Sequence, residues 1–88
     1  MQEQQYEIVN NLGLHARAAA LIVKMATNFC SDIRLCLDGI EVSGKSIMGV
    51  MMLAATKGSK IKLTVDGSDE AKAMQVIGEL IADGFGET

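Results

Sequence analysis

The segment Asp32–Leu37 alternates between polar and apolar side chains, and this pattern constrains the fold more than any other stretch of the 88-residue chain. A period of two residues is typical of a strand with one buried face. Asp38-Gly39 follows directly, and this residue pair favours the two-residue type I′ turn that joins hairpin strands. Ile40 and Val42 continue the alternation after the turn. The sequence therefore predicts an antiparallel hairpin.

Two further segments predict strands. Gln5–Val9 alternates with Tyr6 and Ile8 on one face, and Lys60–Val65 alternates with its lysines on the opposite face from its apolar residues. Together with the hairpin, these segments make four strands, each with one polar face. This is the pattern of an antiparallel sheet that is covered on one side only.

Helical spacing, with apolar residues at i, i+3, i+4 and i+7, occurs three times. The predicted helices cover Ala16–Asn28, Ile47–Leu53 and Asp69–Asp83. Ser68 or Asp69 can cap the start of the third helix, and Gly84 suits the position after its end. The element order is then β-α-β-β-α-β-α, and three helices on one face of an antiparallel sheet make a two-layer α+β fold. We expect residues 1–88 to form one such domain.

The charge balance argues against a nucleic-acid-binding protein. The chain has 8 basic and 11 acidic side chains, for a net charge of −3, whereas nucleic-acid modules usually carry a basic excess. Its aromatic residues are Tyr6, Phe29 and Phe85. So few aromatic rings leave no set of stacking surfaces for single-stranded nucleic acid.

The sequence also gives no sign of a membrane segment, a secretory signal or a metal site. No apolar run approaches the roughly 18–20 residues of a membrane span, and the N-terminus lacks the basic and apolar regions of a signal peptide. Cys30 and Cys36 are too few to staple a small secreted fold. Together with a single histidine, they give no zinc-ligand spacing. We expect free, buried or half-buried thiols in a cytoplasmic protein that binds no metal.

The segment Gly13-Leu14-His15-Ala16-Arg17 lies where the first strand gives way to the first helix. A helix N-terminus has unpaired N–H groups, which attract anions and disfavour a positive charge. We therefore expect His15 to be a neutral, nucleophilic imidazole. A phosphoryl group on His15 would meet both these N–H donors and the guanidinium of Arg17. On these residues alone, an inert polar side chain at a helix start remains an alternative.

Ser46 precedes the short apolar helix and is first of all a candidate N-cap. A phosphate on Ser46 would add about −1.5 to −2 charges to the surrounding surface. The helix that follows is apolar nearly all round, so we expect part of it, including Met48 and Met51, to be exposed. Exposed methionines make an adaptable surface for several partners. A cap-only serine and a wholly buried helix remain the alternatives.

The string from Gly39 to Ser46 matches the phosphate-binding pattern G-x-x-x-x-G-K-[ST]. Its interior nevertheless alternates like a strand, and Glu41 would repel phosphates. The predicted hairpin is antiparallel, whereas a nucleotide-binding loop of this kind belongs to a parallel sheet. We interpret the string as a strand and a helix cap, and keep nucleotide binding through Lys45 as a rival hypothesis.

His15 and Ser46 together make the sequence similar to the HPr family, the histidine-containing phosphocarriers of the bacterial phosphotransferase system. The resemblance rests on three segments: Gly13–Arg17, Lys45–Met51 and Ala82–Glu87. It spans essentially the whole chain. It implies the HPr-like open-faced β-sandwich, in agreement with the element order above, and a carrier without a cofactor.

The resemblance implies a role for each candidate residue. His15 would accept a phosphoryl group on Nδ1 from phosphorylated enzyme I, itself charged by phosphoenolpyruvate, and pass it to an enzyme IIA domain of a sugar system. Arg17 would stabilise the phosphorylated state. Ser46 would be a regulatory site in bacteria that have an HPr kinase/phosphorylase. The implied docking residues are Ile47, Met48 and Met51. The protein would be a monomeric phosphoryl carrier and no turnover enzyme.

Ala18 is one departure from the family pattern, which usually reads His-Ala-Arg-Pro. A proline in the first helical turn is preorganised and gives up only a donor that is unpaired anyway. Alanine is a good helix former, so we expect the helix and the carrier chemistry to persist. A carrier of the nitrogen-related branch and a regulatory paralogue that acts through Ser46 remain alternatives.

Overall fold

In a computed structural model that describes residues 1–87, the elements follow the predicted order β-α-β-β-α-β-α. The strands are β1 Gln2–Glu7, β2 Asp32–Leu37, β3 Ile40–Ser43 and β4 Lys60–Asp66. The helices are α1 Ala16–Ala26, α2 Ile47–Met52 and α3 Glu70–Ala82, followed by a 3₁₀ turn at Gly84–Gly86. The strands make one sheet in the order β1-β4-β2-β3, in which all neighbours are antiparallel. The predicted two-layer α+β fold is confirmed.

The core lies between one face of the sheet and the helices. Alternate residues of β2 and β4 are completely buried, and so are apolar residues of all three helices. These core residues include Ile33, Leu35, Ile61, Leu63, Val65, Ala19, Ile22, Val50, Ala73, Ile77 and Ile81. Burial of each large aliphatic side chain contributes about 1.5–3 kcal/mol relative to exposure. The period-two pattern therefore identified the buried face of both central strands correctly.

The β2–β3 connection is the predicted two-residue turn. Asp38 and Gly39 have φ angles of +52° and +82°, and Leu37 pairs directly with Ile40. Two positive φ angles in succession are the requirement of type I′. The alternation places Ile40 towards the core, but it is exposed because it lies at the hairpin tip on an edge strand. Since β2 is antiparallel to both neighbours, this sheet does not provide the parallel framework of the rival nucleotide-binding loop.

Two predicted elements, β1 and α1, had wrong boundaries. β1 spans Gln2–Glu7 instead of Gln5–Val9, because its first residues are polar and show no alternation on this edge strand. Ile8 lies beyond the strand, although its N–H still donates to the Ser59 carbonyl at 2.8 Å. α1 ends at Ala26, two residues early. There the Thr27 hydroxyl donates to the Lys24 carbonyl at 3.1 Å, a local bond that competes with further helix.

The predicted role of Asp69 as the cap of α3 was wrong. Asp69 occupies the N-cap position, but its side chain does not cap the helix. The carboxylate accepts hydrogen bonds from the Ser31 hydroxyl and from the N–H groups of Cys30 and Ser31 at 2.9 and 3.0 Å. These bonds, the Ser31 hydroxyl first, lower the pKa of Asp69. Asp69 therefore fastens α3 to the loop before β2. Cys30 in this loop is exposed, so the prediction of a buried or half-buried thiol is wrong for Cys30, whereas Cys36 is half-buried as predicted. Gly84 does follow α3 with a φ of +66°, as predicted.

Replacing Asp69 with alanine should lower the thermal unfolding midpoint at neutral pH by roughly 4–8 °C, because three donors lose their acceptor. A carboxylate whose pKa is lowered in the folded state stabilises it above the unfolded pKa of about 3.9, and this stabilisation disappears as pH falls through the folded pKa. The difference between wild type and Asp69→Ala should thus shrink in acid. Circular dichroism melts at several pH values measure it, with the exposed Asp83→Ala as control. A constant difference at all pH values would contradict the role.

Candidate functional site

His15 is the residue that precedes α1. Its backbone is extended, with φ −78° and ψ 178°, and its carbonyl accepts the first helical hydrogen bond from the Ala19 N–H at 2.9 Å. The side chain does not cap the helix, and the first turn contains no acidic residue. Within residues 1–87, the N–H groups of Ala16, Arg17 and Ala18 consequently have no hydrogen-bond acceptor. α1 thus begins with unpaired donors directly after His15, as predicted.

The loop before His15 is fixed to the segment that follows α2. Gly13 has a φ of +65°, and a Cβ at this position would overlap the Ala55 carbonyl oxygen, so only glycine fits. The next residue, Leu14, donates its N–H to the same carbonyl at 2.9 Å. On the other side, the Asn10 amide donates to the Gly13 carbonyl at 2.9 Å. These contacts place His15 on the same side of the molecule as α2.

The C-terminal residues complete the site in a way that the sequence analysis did not anticipate. Gly84, Phe85 and Gly86 all have positive φ angles, between +60° and +72°, and Phe85 is buried. This turn brings Glu87 back to the start of α1. There one carboxylate oxygen of Glu87 contacts Nε2 of His15, and the other accepts from the Asn10 amide at 3.0 Å. In the sequence, the Gly84-Phe85-Gly86 triplet was the feature that could have indicated this turn.

The electrostatics of this corner favour a charged Glu87. The hydrogen bond from Asn10, followed by that from His15, lowers the pKa of Glu87. The His15 side chain is 26% exposed, so the ring is half-buried and still open to solvent. Nε2 is engaged by Glu87, whereas Nδ1 has no hydrogen-bond partner within residues 1–87.

An open depression surrounds the imidazole. Its lining residues are Asn11, Leu12, His15, Arg17, Gly86 and Glu87. Arg17 is exposed on the first turn of α1, and its guanidinium makes no ion pair within the described part of the chain. The depression thus combines an imidazole nitrogen, unpaired N–H donors and a guanidinium. Such a set can hold a tetrahedral anion on the histidine.

Ser46 lies outside this depression, so the structure does not bring the two predicted modification residues together. Its hydroxyl oxygen accepts the N–H of Gly49 at 3.0 Å at the start of α2, which confirms the predicted N-cap. The preceding Lys45 donates from Nζ to the Phe29 carbonyl at 2.8 Å. This lysine therefore supports the loop at the end of α1, and a second role as a phosphate ligand would require breaking that bond.

An apolar surface extends along α2. Val50 is the buried residue of this helix, so the alternative of a wholly buried helix is wrong. Met48 is 71% exposed and Met51 is 39% exposed. Ile47 is exposed as well, and so are Met52 and Leu12, which the sequence analysis did not single out. We call Ile47, Met48, Met51 and Met52 the α2 surface. Leu12 extends apolar character to the depression around His15.

Comparison with known proteins assigns the family. The family model described as "PTS HPr component phosphorylation site" matches residues 2–83. The chain belongs to the PTS-HPr family. The phosphocarrier protein HPr of Cupriavidus necator is 49% identical over 87 residues, which cover 99% of this chain and 98% of the relative. Membership makes the chain an HPr-type phosphocarrier of the phosphotransferase system.

Solved structures of the family show the same fold. HPr-C-His from Thermoanaerobacter tengcongensis superposes with a TM-score of 0.96 at 44% identity, over 100% of this chain and 99% of that one. The HPr dimer from the same organism gives 0.79 at 45% identity, over 99% and 100% of the two chains. The HPr-like open-faced β-sandwich is confirmed. Because a relative forms a dimer, the monomeric state stays a prediction. Among the described residues, no helix is both long and apolar enough to cross a membrane.

Proposed function

We propose that Nδ1 of His15 accepts a phosphoryl group from phosphorylated enzyme I and passes it to an enzyme IIA domain of a sugar phosphotransferase system. One observation carries the proposal. Nε2 is engaged by Glu87, whereas Nδ1 has no partner within residues 1–87, and His15 directly precedes the helix whose first N–H groups are unpaired. Family membership supplies the phosphotransferase context.

The chemistry needs little beyond this geometry. The Nδ1 lone pair attacks phosphorus, and the nitrogen–phosphorus bond forms as the bond to the donor breaks. The phosphoryl oxygens then receive hydrogen bonds from the N–H groups that begin α1 and from the Arg17 guanidinium, which stabilise the adduct electrostatically. In the second step a nucleophile of the acceptor attacks phosphorus, the bond between Nδ1 and phosphorus breaks, and His15 regains its lone pair. The open depression suits an atom that must reach two different protein partners.

The α2 surface is the proposed docking site for these partners. Ile47, Met48 and Met51 are exposed, and flexible, polarizable methionine side chains adapt to more than one partner. Ser46 at the start of the same helix would be the regulatory site for an HPr kinase/phosphorylase. A phosphate there would place about −1.5 to −2 charges beside the docking residues. In this proposal residues 1–88 act as one monomeric carrier domain in the cytoplasm.

A phosphorylation and discharge experiment tests the proposal. The protein is incubated with phosphoenolpyruvate and enzyme I, its mass is measured, and an enzyme IIA domain is then added. We expect one acid-labile phosphate that depends on enzyme I and disappears when the IIA domain is added. An acid-stable adduct, or no adduct, would contradict the proposal. Lys45→Ala should leave both steps unchanged, whereas the rival nucleotide-binding hypothesis predicts that this variant loses ligand binding.

A further inference from the structure

We propose that Asn10 and Glu87 act as positioning residues that keep the proton of the neutral His15 ring on Nε2 and leave the lone pair on Nδ1. The consequence for transfer rate rests on the proposed function above, but the consequence for the ring itself does not. The inference depends on three consecutive contacts, from the Gly13 carbonyl through Asn10 and Glu87 to His15.

Asn10 can act only as a donor towards Glu87. Its Nδ2 group donates one hydrogen bond to the Gly13 carbonyl at 2.9 Å and one to Glu87 at 3.0 Å. Asn10 is only 5% exposed, and its Oδ1 is buried without a hydrogen-bond partner within residues 1–87. An orphaned buried oxygen is rare in native proteins and calls for an explanation. Here the two donated bonds fix the side chain.

Glu87 transmits this orientation to the imidazole. One oxygen of its carboxylate is occupied by Asn10, and the other contacts Nε2 of His15. An ionised carboxylate only accepts hydrogen bonds, so Nε2 must be the donor. The bond made by one ring nitrogen determines whether the other carries a proton. In the neutral ring, Nδ1 therefore keeps its lone pair.

The C-terminal turn delivers Glu87 to this position. Phe85 is 3% exposed and anchors the turn in the core, and Gly84 and Gly86 flank it with positive φ angles. Asn10 then joins the turn to the loop that precedes His15. Both ends of the contact with the imidazole are thus held by the fold, which is the condition for orienting a reactive side chain.

Glu87→Gln and Glu87→Ala separate positioning from a structural role. In Glu87→Gln the new carbonyl must face Asn10, which can only donate, so the new NH₂ group faces Nε2. That group donates, and the ring proton is forced onto Nδ1, the atom that has to be nucleophilic. Glu87→Ala removes the constraint instead of reversing it. Glu87→Gln preserves the shape of the side chain better than Glu87→Ala, but it should slow phosphoryl transfer more.

Nitrogen NMR of the imidazole and transfer kinetics from phosphorylated enzyme I give the two readouts. We expect protonated Nε2 in wild type, a mixture in Glu87→Ala and protonated Nδ1 in Glu87→Gln. Loss of the partner that orients a metal-ligating histidine typically costs about 10–100-fold in metal affinity or activity, and a wrong tautomer in a catalytic triad costs about 10⁴-fold. The transfer rates should therefore rank wild type, Glu87→Ala, Glu87→Gln. Glu79→Gln, an exposed change on α3, should match wild type.

A double variant tests the part of Asn10. With Asn10→Ala, the amide introduced by Glu87→Gln is free to turn its carbonyl to Nε2, so the double variant should regain protonated Nε2 and transfer faster than Glu87→Gln alone. Protonated Nε2 in the Glu87→Gln single variant would overturn the inference. These NMR results do not depend on phosphorylation. If His15 never accepts a phosphoryl group, the proposed function fails, and the tautomer result still decides the inference.

Discussion

His15→Ala should abolish phosphoryl acceptance from phosphorylated enzyme I, with no residual labelling above background. The substitution removes the nucleophilic nitrogen and leaves the unpaired N–H groups of α1 and the Arg17 guanidinium in place. These groups can stabilise a phosphoryl group but cannot form a bond to it. Labelling with radioactive phosphoenolpyruvate and enzyme I measures the effect.

The variant is expected to fold, because the His15 side chain makes no capping hydrogen bond to α1. An unchanged far-ultraviolet circular dichroism spectrum and a retained unfolding transition provide the control. Acid-labile labelling that survives in His15→Ala would show that another residue is the acceptor. A carrier loses phosphoryl transfer in His15→Ala, whereas a regulator that acts through Ser46 alone, with His15 idle, keeps its partner binding.

Ser46→Asp should slow transfer from phosphorylated enzyme I by about 10-fold or more, the lower end of the range for electrostatic effects on association. The wild-type hydroxyl accepts the Gly49 N–H at 3.0 Å, and aspartate is an equally good N-cap. The helix should therefore persist. The added charge lies beside Met48 and Met51, where docking would have to desolvate it or bring it against the partner's own charges.

Ser68→Asp is a matched control, because it makes the same chemical change at an exposed serine just before α3. Ser68 lies before the first residue of the 13-residue α3, which is about 20 Å long at 1.5 Å per residue, and the turn that carries Glu87 follows the other end of this helix. Transfer by Ser68→Asp should equal that of wild type. Equal slowing in both variants would assign the effect to net charge, and an unaffected Ser46→Asp would remove Ser46 from the docking region.

The fold could be predicted from the sequence wherever one face of an element is buried. Asp32–Leu37 was located residue for residue, because alternating apolar side chains leave a strand only one register against the core. The turn followed from Asp38-Gly39, whose chemistry matches two positive φ angles. β1 was misplaced at both ends, since an edge strand of polar residues shows little periodicity.

The candidate site could be predicted only where it depends on local sequence. His15 and Arg17 were placed at the start of α1 because helix periodicity locates that start. Asn10 and Glu87 were missed, because they are 77 residues apart and meet only through the turn around Phe85. Asp69 was assigned to the wrong partner for the same reason. Local propensity favours a cap, and the tertiary fold offers the N–H groups of Cys30 and Ser31 instead.

The most direct test of the central claim is the position of phosphorus on the imidazole. The protein is labelled with ¹⁵N in its histidine, phosphorylated by phosphoenolpyruvate and enzyme I, and examined by phosphorus and nitrogen NMR. Phosphorus bonded to Nδ1 of His15, with the proton retained on Nε2, is the predicted result. Phosphorus on Nε2, on Ser46 or nowhere on the protein would contradict the account.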